Sequence, residues 1–104
     1  MRRAPRLDGN HAEIVEALHR AGIQVRSMAE VGKGFPDLLV AFRGVLCLLE
    51  VKDGRLPPSE RQPTKAELGF ISTWPRTYVV TSAEEAVRVV IEAARPPGAP
   101  PMAE

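Results

Sequence analysis

The sequence predicts an α/β domain, an α/β/α sandwich around a mixed four-stranded sheet, with elements in the order α-β-β-β-α-β-α. Three observations carry that prediction. Two nearly continuous apolar runs, 37–42 and 45–52, are separated only by Arg43-Gly44, which reads as a hairpin of central strands covered on both faces. Apolar residues at helical spacing flank this hairpin on both sides, at Ile14, Ala17, Leu18 and Ala21 and again at Ala86, Val87, Val90, Ile91 and Ala94. A β-branched and aromatic run, Thr77-Tyr78-Val79-Val80, lies between two capping-box patterns, Thr64 with Glu67 and Ser82 with Glu85.

Taken in order, the first helix spans 10–21, with Asn10 as N-cap and Gly22 as terminator. Residues 23–27 alternate apolar and polar, the pattern of a short, half-buried strand near a sheet edge. Gly32-Lys33-Gly34 and Pro36 break regular structure, so 28–36 is a loop leading into the hairpin. Residues 53–63 are polar and hold Pro57, Pro58 and Pro63, which makes them irregular and long enough to be functional. A second helix follows from about 65 to 73, ending before Pro75, then the fourth strand and the last helix. The chain divides into a basic N-terminal arm (1–9, with Arg2, Arg3 and Arg6), one domain (10–95) and a Pro-rich tail expected to be disordered (96–104).

Composition narrows the function. In 104 residues, 14 Lys and Arg stand against 13 Asp and Glu, so contact with a polyanion has to be local rather than histone-like. One cysteine, Cys47, excludes an internal disulfide and a multi-thiolate zinc site, and its spacing marks it as a small core residue. With no run of about 20 apolar residues and no signal-like start, a cytoplasmic setting is expected. The aromatics, Trp74, Tyr78 and three Phe, stand mostly in apolar contexts, so no base-stacking platform is expected.

The anomaly is the end of the third strand. Glu50 and Lys52 share parity and project from one face of an otherwise apolar strand. The antiparallel partner begins at Asp37, which the tight turn brings opposite them. Two carboxylates and an ammonium thus converge at one end of the sheet. Oxygen donors without thiolate or imidazole suit a hard cation, Mg2+ or Mn2+, beside which Lys52 orients water or stabilises negative charge in phosphodiester hydrolysis. The same charges would also mark the solvated end of a strand. Neither His11 nor His19 is assigned as a ligand.

The ordered set Gly34-Phe35-Pro36-Asp37, then Glu50-Val51-Lys52 after twelve residues, resembles the PD-(D/E)xK nuclease motif, and the element order resembles that superfamily's restriction-endonuclease-like core. Residues 10–86 are similar to small VRR-NUC-type nucleases, whose members include phage-encoded relatives of Holliday-junction resolvases. The pieces are Glu13-Ile14-Val15 with Ala17-Leu18, Pro36-Asp37-Leu38-Leu39-Val40, Leu48-Leu49-Glu50-Val51-Lys52-Asp53-Gly54, and Pro57-Pro58-Ser59 followed by Thr64 and Trp74. The resemblance implies a Mg2+-dependent endonuclease, with Mn2+ as substitute, located in the host cytoplasm if phage-encoded. Asp37, Glu50 and the Val51 carbonyl would bind the ion, and Lys52 would position the attacking water. A Glu on the first helix often completes the family's site, and Glu13 matches it, although Glu13 also falls where a capping-box Glu belongs. One departure stands out. Many relatives carry a Gln on the helix after the Pro-rich loop, whereas 66–70 has none; Leu68 reads as core, and that contact is either missing or supplied by Gln62.

Lys33 on the loop before the motif, with Arg55, Arg61 and Lys65 after it, are the expected contacts to a nucleic-acid backbone. The expected substrate is branched or flap DNA chosen by structure rather than sequence, with a homodimer as the expected assembly. An RNA-directed nuclease and a catalytically silent module binding DNA or a protein remain open.

Overall fold

A computed structural model describes residues 7–98; the basic residues Arg2, Arg3 and Arg6 and the tail beyond Gly98 lie outside them. The elements run α1 (His11–Arg20), β1 (Gln24–Ser27), β2 (Leu38–Phe42), β3 (Val45–Val51), a 3-10 turn (Pro58–Glu60), α2 (Lys65–Thr73), β4 (Thr77–Val80) and α3 (Ala83–Ala93). The strands form one mixed sheet in the order β1-β2-β3-β4, with β1 at an edge. The first two pairings are antiparallel and β3 pairs with β4 in parallel.

Local chemistry accounts for the boundaries. At the end of α1 the Gly22 N–H bonds the His19 carbonyl and the Ile23 N–H reaches Leu18, with Gly22 at φ +80°, the two-bond closure that glycine permits without strain. The β2–β3 turn holds both Arg43 (φ +51°) and Gly44 (φ +79°) in the left-handed region, the twist that suits a two-residue hairpin. It sets Leu38 opposite Leu49 and so brings Asp37 to the level of Glu50. Thr64 and Glu67 form a complete capping box on α2. Ser82 caps α3 by accepting from the Glu85 N–H, while the Glu85 carboxylate reaches back to the Thr81 N–H and hydroxyl.

Asn10 departs from expectation. Its side chain makes no cap bond on α1; instead its amide donates to the carbonyls of Lys52 (3.1 Å) and Thr81 (3.0 Å), fastening the ends of β3 and β4 to the start of α1. The Thr81 carbonyl also accepts the Gly54 N–H, so the Asn10 amide joins two carbonyls at the sheet end, whereas the helical N–H it leaves uncapped is one that water can reach.

The core lies on one face of the sheet. Leu38, Val40, Cys47, Leu49, Val51 and Val80 pack against Ile14 and Leu18 of α1 and Ala86 and Val90 of α3. Burying each large aliphatic of this set contributes about 1.5–3 kcal/mol before entropy is counted. The other face is covered unevenly, because α2 contributes no buried residue. Leu68, expected in the core, is 51% exposed, and Leu46 (54%) and Trp74 (47%) are exposed as well. With nine residues and apolar positions scattered around its circumference, α2 has no stripe wide enough to seal the sheet. Among the described residues no helix is long and apolar enough to cross a membrane.

Candidate functional site

The site forms where β2 begins and β3 ends. Asp37 precedes β2, and its Oδ2 accepts the Val51 N–H at 2.8 Å, a bond across the hairpin mouth that sets the carboxylate beside the last residues of β3. Glu50 is 3% exposed, and its Oε1 is fully buried without a hydrogen-bond partner. Burial first, and then the negative charges of Asp37 and Glu67, push its carboxyl up to about 9. An isolated acid in such surroundings keeps its proton unless a cation arrives.

Lys52 stands 3.5 Å from Glu50 Oε2 but is bonded to Glu67 Oε1 at 2.8 Å. Its charge is therefore committed chiefly to Glu67, which explains why Glu50 remains raised beside an ammonium. Burial works against the Lys52 ammonium, yet the bond and charge of Glu67, with Glu50 and Asp8 behind it, hold the amine above its ordinary value. Burial likewise opposes the Glu67 carboxylate, and the Lys52 and Thr64 N–H bonds overcome it and keep Glu67 below the usual range.

Glu67 also accepts the Thr64 N–H at 2.8 Å through the same Oε1, so the cap of α2 and the anchoring of Lys52 are one arrangement. The loop ahead of Asp37 fits tightly against it. Gly34 sits at φ +80°, and a Cβ there would lie 2.5 Å from the Ala66 Cβ and 2.8 Å from the Ala66 carbonyl carbon. The polar side chain that 66–70 brings to the group is thus the Glu67 carboxylate. Gln62 is engaged elsewhere, donating to the Pro58 carbonyl at 2.9 Å. Glu67→Ala is expected to cost about 2–4 kcal/mol through the lost cap and the stranded ammonium, and Glu67→Gln less than half of that, since Gln keeps an acceptor. Urea denaturation checks the ordering.

The other expected site residues are distributed as follows. Glu13, 57% exposed at its side chain, faces Arg55 Nη1 at 3.7 Å and lines a separate cleft with Asn10, Asp53 and Ser82, so it is not drawn into the Asp37–Glu50–Lys52 group. Nor does it close a capping box on α1. Asp8, in the expected arm, is the acid that comes closer: it feels the charges of Lys52, Asp37, Asp53 and Glu67, and burial raises its carboxyl. Val51 contributes its N–H to Asp37 and buries its side chain. Among the described residues no three His, Cys, Asp or Glu side chains form a ready-made metal cage.

Of the expected backbone contacts, Arg55 is spent within the protein: Nε and Nη2 clamp Asp53 at 2.9 and 3.0 Å, and the Arg55 N–H bonds the same carboxylate. Those bonds hold Asp53 below the ordinary carboxylate range. Arg61 donates to the Leu56 carbonyl. Lys33, at φ +54°, and Lys65, at the first turn of α2, are exposed. His11 is largely buried with Nε2 unpartnered.

No protein-family model, curated protein or solved structure matches the chain.

Proposed function

We propose that the chain is a divalent-metal-dependent nuclease of the PD-(D/E)xK type, hydrolysing phosphodiester bonds at the Asp37–Glu50–Lys52–Glu67 group. The observation that carries this reading is Glu50: a buried carboxyl with one oxygen unpartnered, crowded by Asp37 and Glu67, in a strand that is otherwise apolar. Left unsatisfied, such a polar group costs the fold about 1–3 kcal/mol. A hard cation resolves the excess of negative charge and satisfies the orphan oxygen, so the donors present fit Mg2+ or Mn2+. Asp37 and Glu50 would hold it, with the Val51 carbonyl as the neighbouring main-chain donor. Such an ion supplies Lewis-acid stabilisation of phosphoryl charge and lowers the pKa of bound water.

The remaining chemistry belongs to the chain. Lys52, held as an ammonium by Glu67, orients water by hydrogen bonding and offers positive charge to a developing oxyanion. The Val51 N–H fixes the Asp37 carboxylate, and the Asn10 amide fixes the strand ends that carry Lys52. Lys33, four residues before Asp37, and Lys65, two before Glu67, are exposed cations that meet the substrate backbone, which makes binding weaken as salt rises. A structure-selective DNA nuclease acting in the cytoplasm, as a homodimer on symmetric branches, is the form of this reading that the resemblance to resolvase-like nucleases implies.

The test is a panel of linear, flap and four-way DNA with matched RNA, each with Mg2+ or chelator. Cleavage of DNA that requires Mg2+ and prefers a branched substrate is expected. Cleavage of RNA alone would transfer the activity to the other nucleic acid, and inertness toward every substrate would leave a binding module.

A further inference from the structure

Leu46, Leu48 and Glu50 share one face of β3, and Lys52 just past its end has the same parity, so the exposed apolar surface and the charged group lie toward the two ends of one face of the sheet. Its apolar end is a groove of about 250 Å³ lined by Phe35, Leu39, Leu46, Leu48, Trp74 and Arg76. Phe35, Phe70 and Trp74 meet edge-on or tilted, with centroids 5.2–5.7 Å apart, which fixes the indole in place while leaving it 47% exposed. The two elements that build the charged group also build this groove. Phe35 is two residues before Asp37, and α2 carries Glu67 at its first turn and Trp74 at its end. Seven residues of helix separate Glu67 from Trp74 by about 10 Å, the length of about three stacked nucleotides. Arg76, exposed at the rim and tied by Nε to the Leu46 carbonyl at 2.7 Å, puts a cation beside the rings.

An apolar aromatic surface flanked by a cation, on the same sheet face as the proposed phosphodiester site, has the chemistry to hold a nucleotide: a π-face to stack, and positive charge for the phosphates. We infer that Trp74 and the groove beside it stack an unpaired nucleobase within about three nucleotides of the bond cleaved, so that the substrate class is DNA with single-stranded nucleotides next to the cut. A base inside an intact duplex has both faces covered and cannot enter. This inference rests on the nuclease reading.

Trp74 is the chain's one tryptophan, so intrinsic emission reports on it directly. With chelator present to prevent cleavage, fluorescently labelled single-stranded, flapped and blunt duplex DNA are titrated against the full chain, binding being read by anisotropy and stacking by tryptophan quenching. Quenching that tracks binding of the single-stranded and flapped DNA, without quenching by blunt duplex, is the expected result. Trp74→Ala should weaken single-strand binding about tenfold or more and leave blunt-duplex binding unchanged, with Trp74→Phe restoring most of the loss. DNA that binds without quenching, DNA that does not bind at all, or emission that shifts with protein concentration alone would each overturn the inference, the last by assigning the groove to a second copy. Cleavage of the same substrates with Mg2+ is scored separately: cleavage without quenching removes the stacking site and keeps the nuclease, whereas quenching without cleavage does the reverse.

Discussion

Glu50→Gln is expected to make the metal-free protein more stable by about 1–3 kcal/mol at pH 8 while abolishing Mg2+-dependent cleavage. The amide keeps the shape of the carboxyl, removes the ionisable group, and offers N–H donors to Asp37 and Glu67. The sign follows from linkage. With Glu50 raised to about 9 in the folded state, the native protein binds one more proton than the unfolded chain between about pH 4.5 and pH 9. Stability of the metal-free wild type is therefore greatest at the acid end of that window and falls as pH rises through it, and the Gln variant should show a flatter profile. Added Mg2+ should raise the melting temperature of the wild type and leave the variant unmoved. Urea titrations from pH 5 to pH 9, with and without Mg2+, check all three statements. Parallel pH profiles for the two proteins would mean that Glu50 is solvated as an ordinary strand-end acid.

Gly34→Ala should be the most damaging single-methyl change in the loop before Asp37. At φ +80° any side chain is strained by about 1–2 kcal/mol, and this one also enters the space of Ala66, adding about 1–3 kcal/mol and pushing the first turn of α2 away. Since that turn carries Glu67, the Lys52 ammonium loses its partner and cleavage should fall more than tenfold. Gly32→Ala is the control: its φ is +72°, but a Cβ there meets nothing within 4 Å, so it bears the conformational cost alone. The difference between the two variants in ΔG of unfolding isolates the contact between loop and helix. Equal losses would show that the loop does not brace Glu67.

Those residues illustrate what was legible in the sequence. The elements were readable because their signals are local: a tight-turn dipeptide between two apolar runs, a capping box before α2, and the parity that aligns Glu50 with Lys52. Asp37 could be set opposite them because hairpin register follows from turn length. Glu67 was visible only as a cap; that its Oε1 also holds Lys52 depends on how the Gly34 loop and α2 meet, which no spacing records. Asn10 has the character of a cap, but the carbonyls of Lys52 and Thr81, the residues just after β3 and β4, take its amide instead of the helix. Glu13 lies at the right distance along the chain, yet the turn of α1 aims it at Arg55, while Asp8 approaches through space from a stretch with no periodic signal. Leu68 read as core because hydrophobicity predicts burial on average, and its exposure, like that of Trp74, follows from a helix too short to cover the face beneath it.

Whether Asp37, Glu50, Lys52 and Glu67 form one metal-dependent hydrolytic site is decided by single-turnover cleavage of a flapped DNA, comparing wild type with Lys52→Ala, both shown to be folded by circular dichroism. Mg2+-dependent cleavage by the wild type is expected, with a loss of at least about a hundredfold in the variant, the lower bound for removing a group that stabilises charge in the transition state. Equal rates for the two proteins, or cleavage by the wild type that persists in chelator, would contradict such a site.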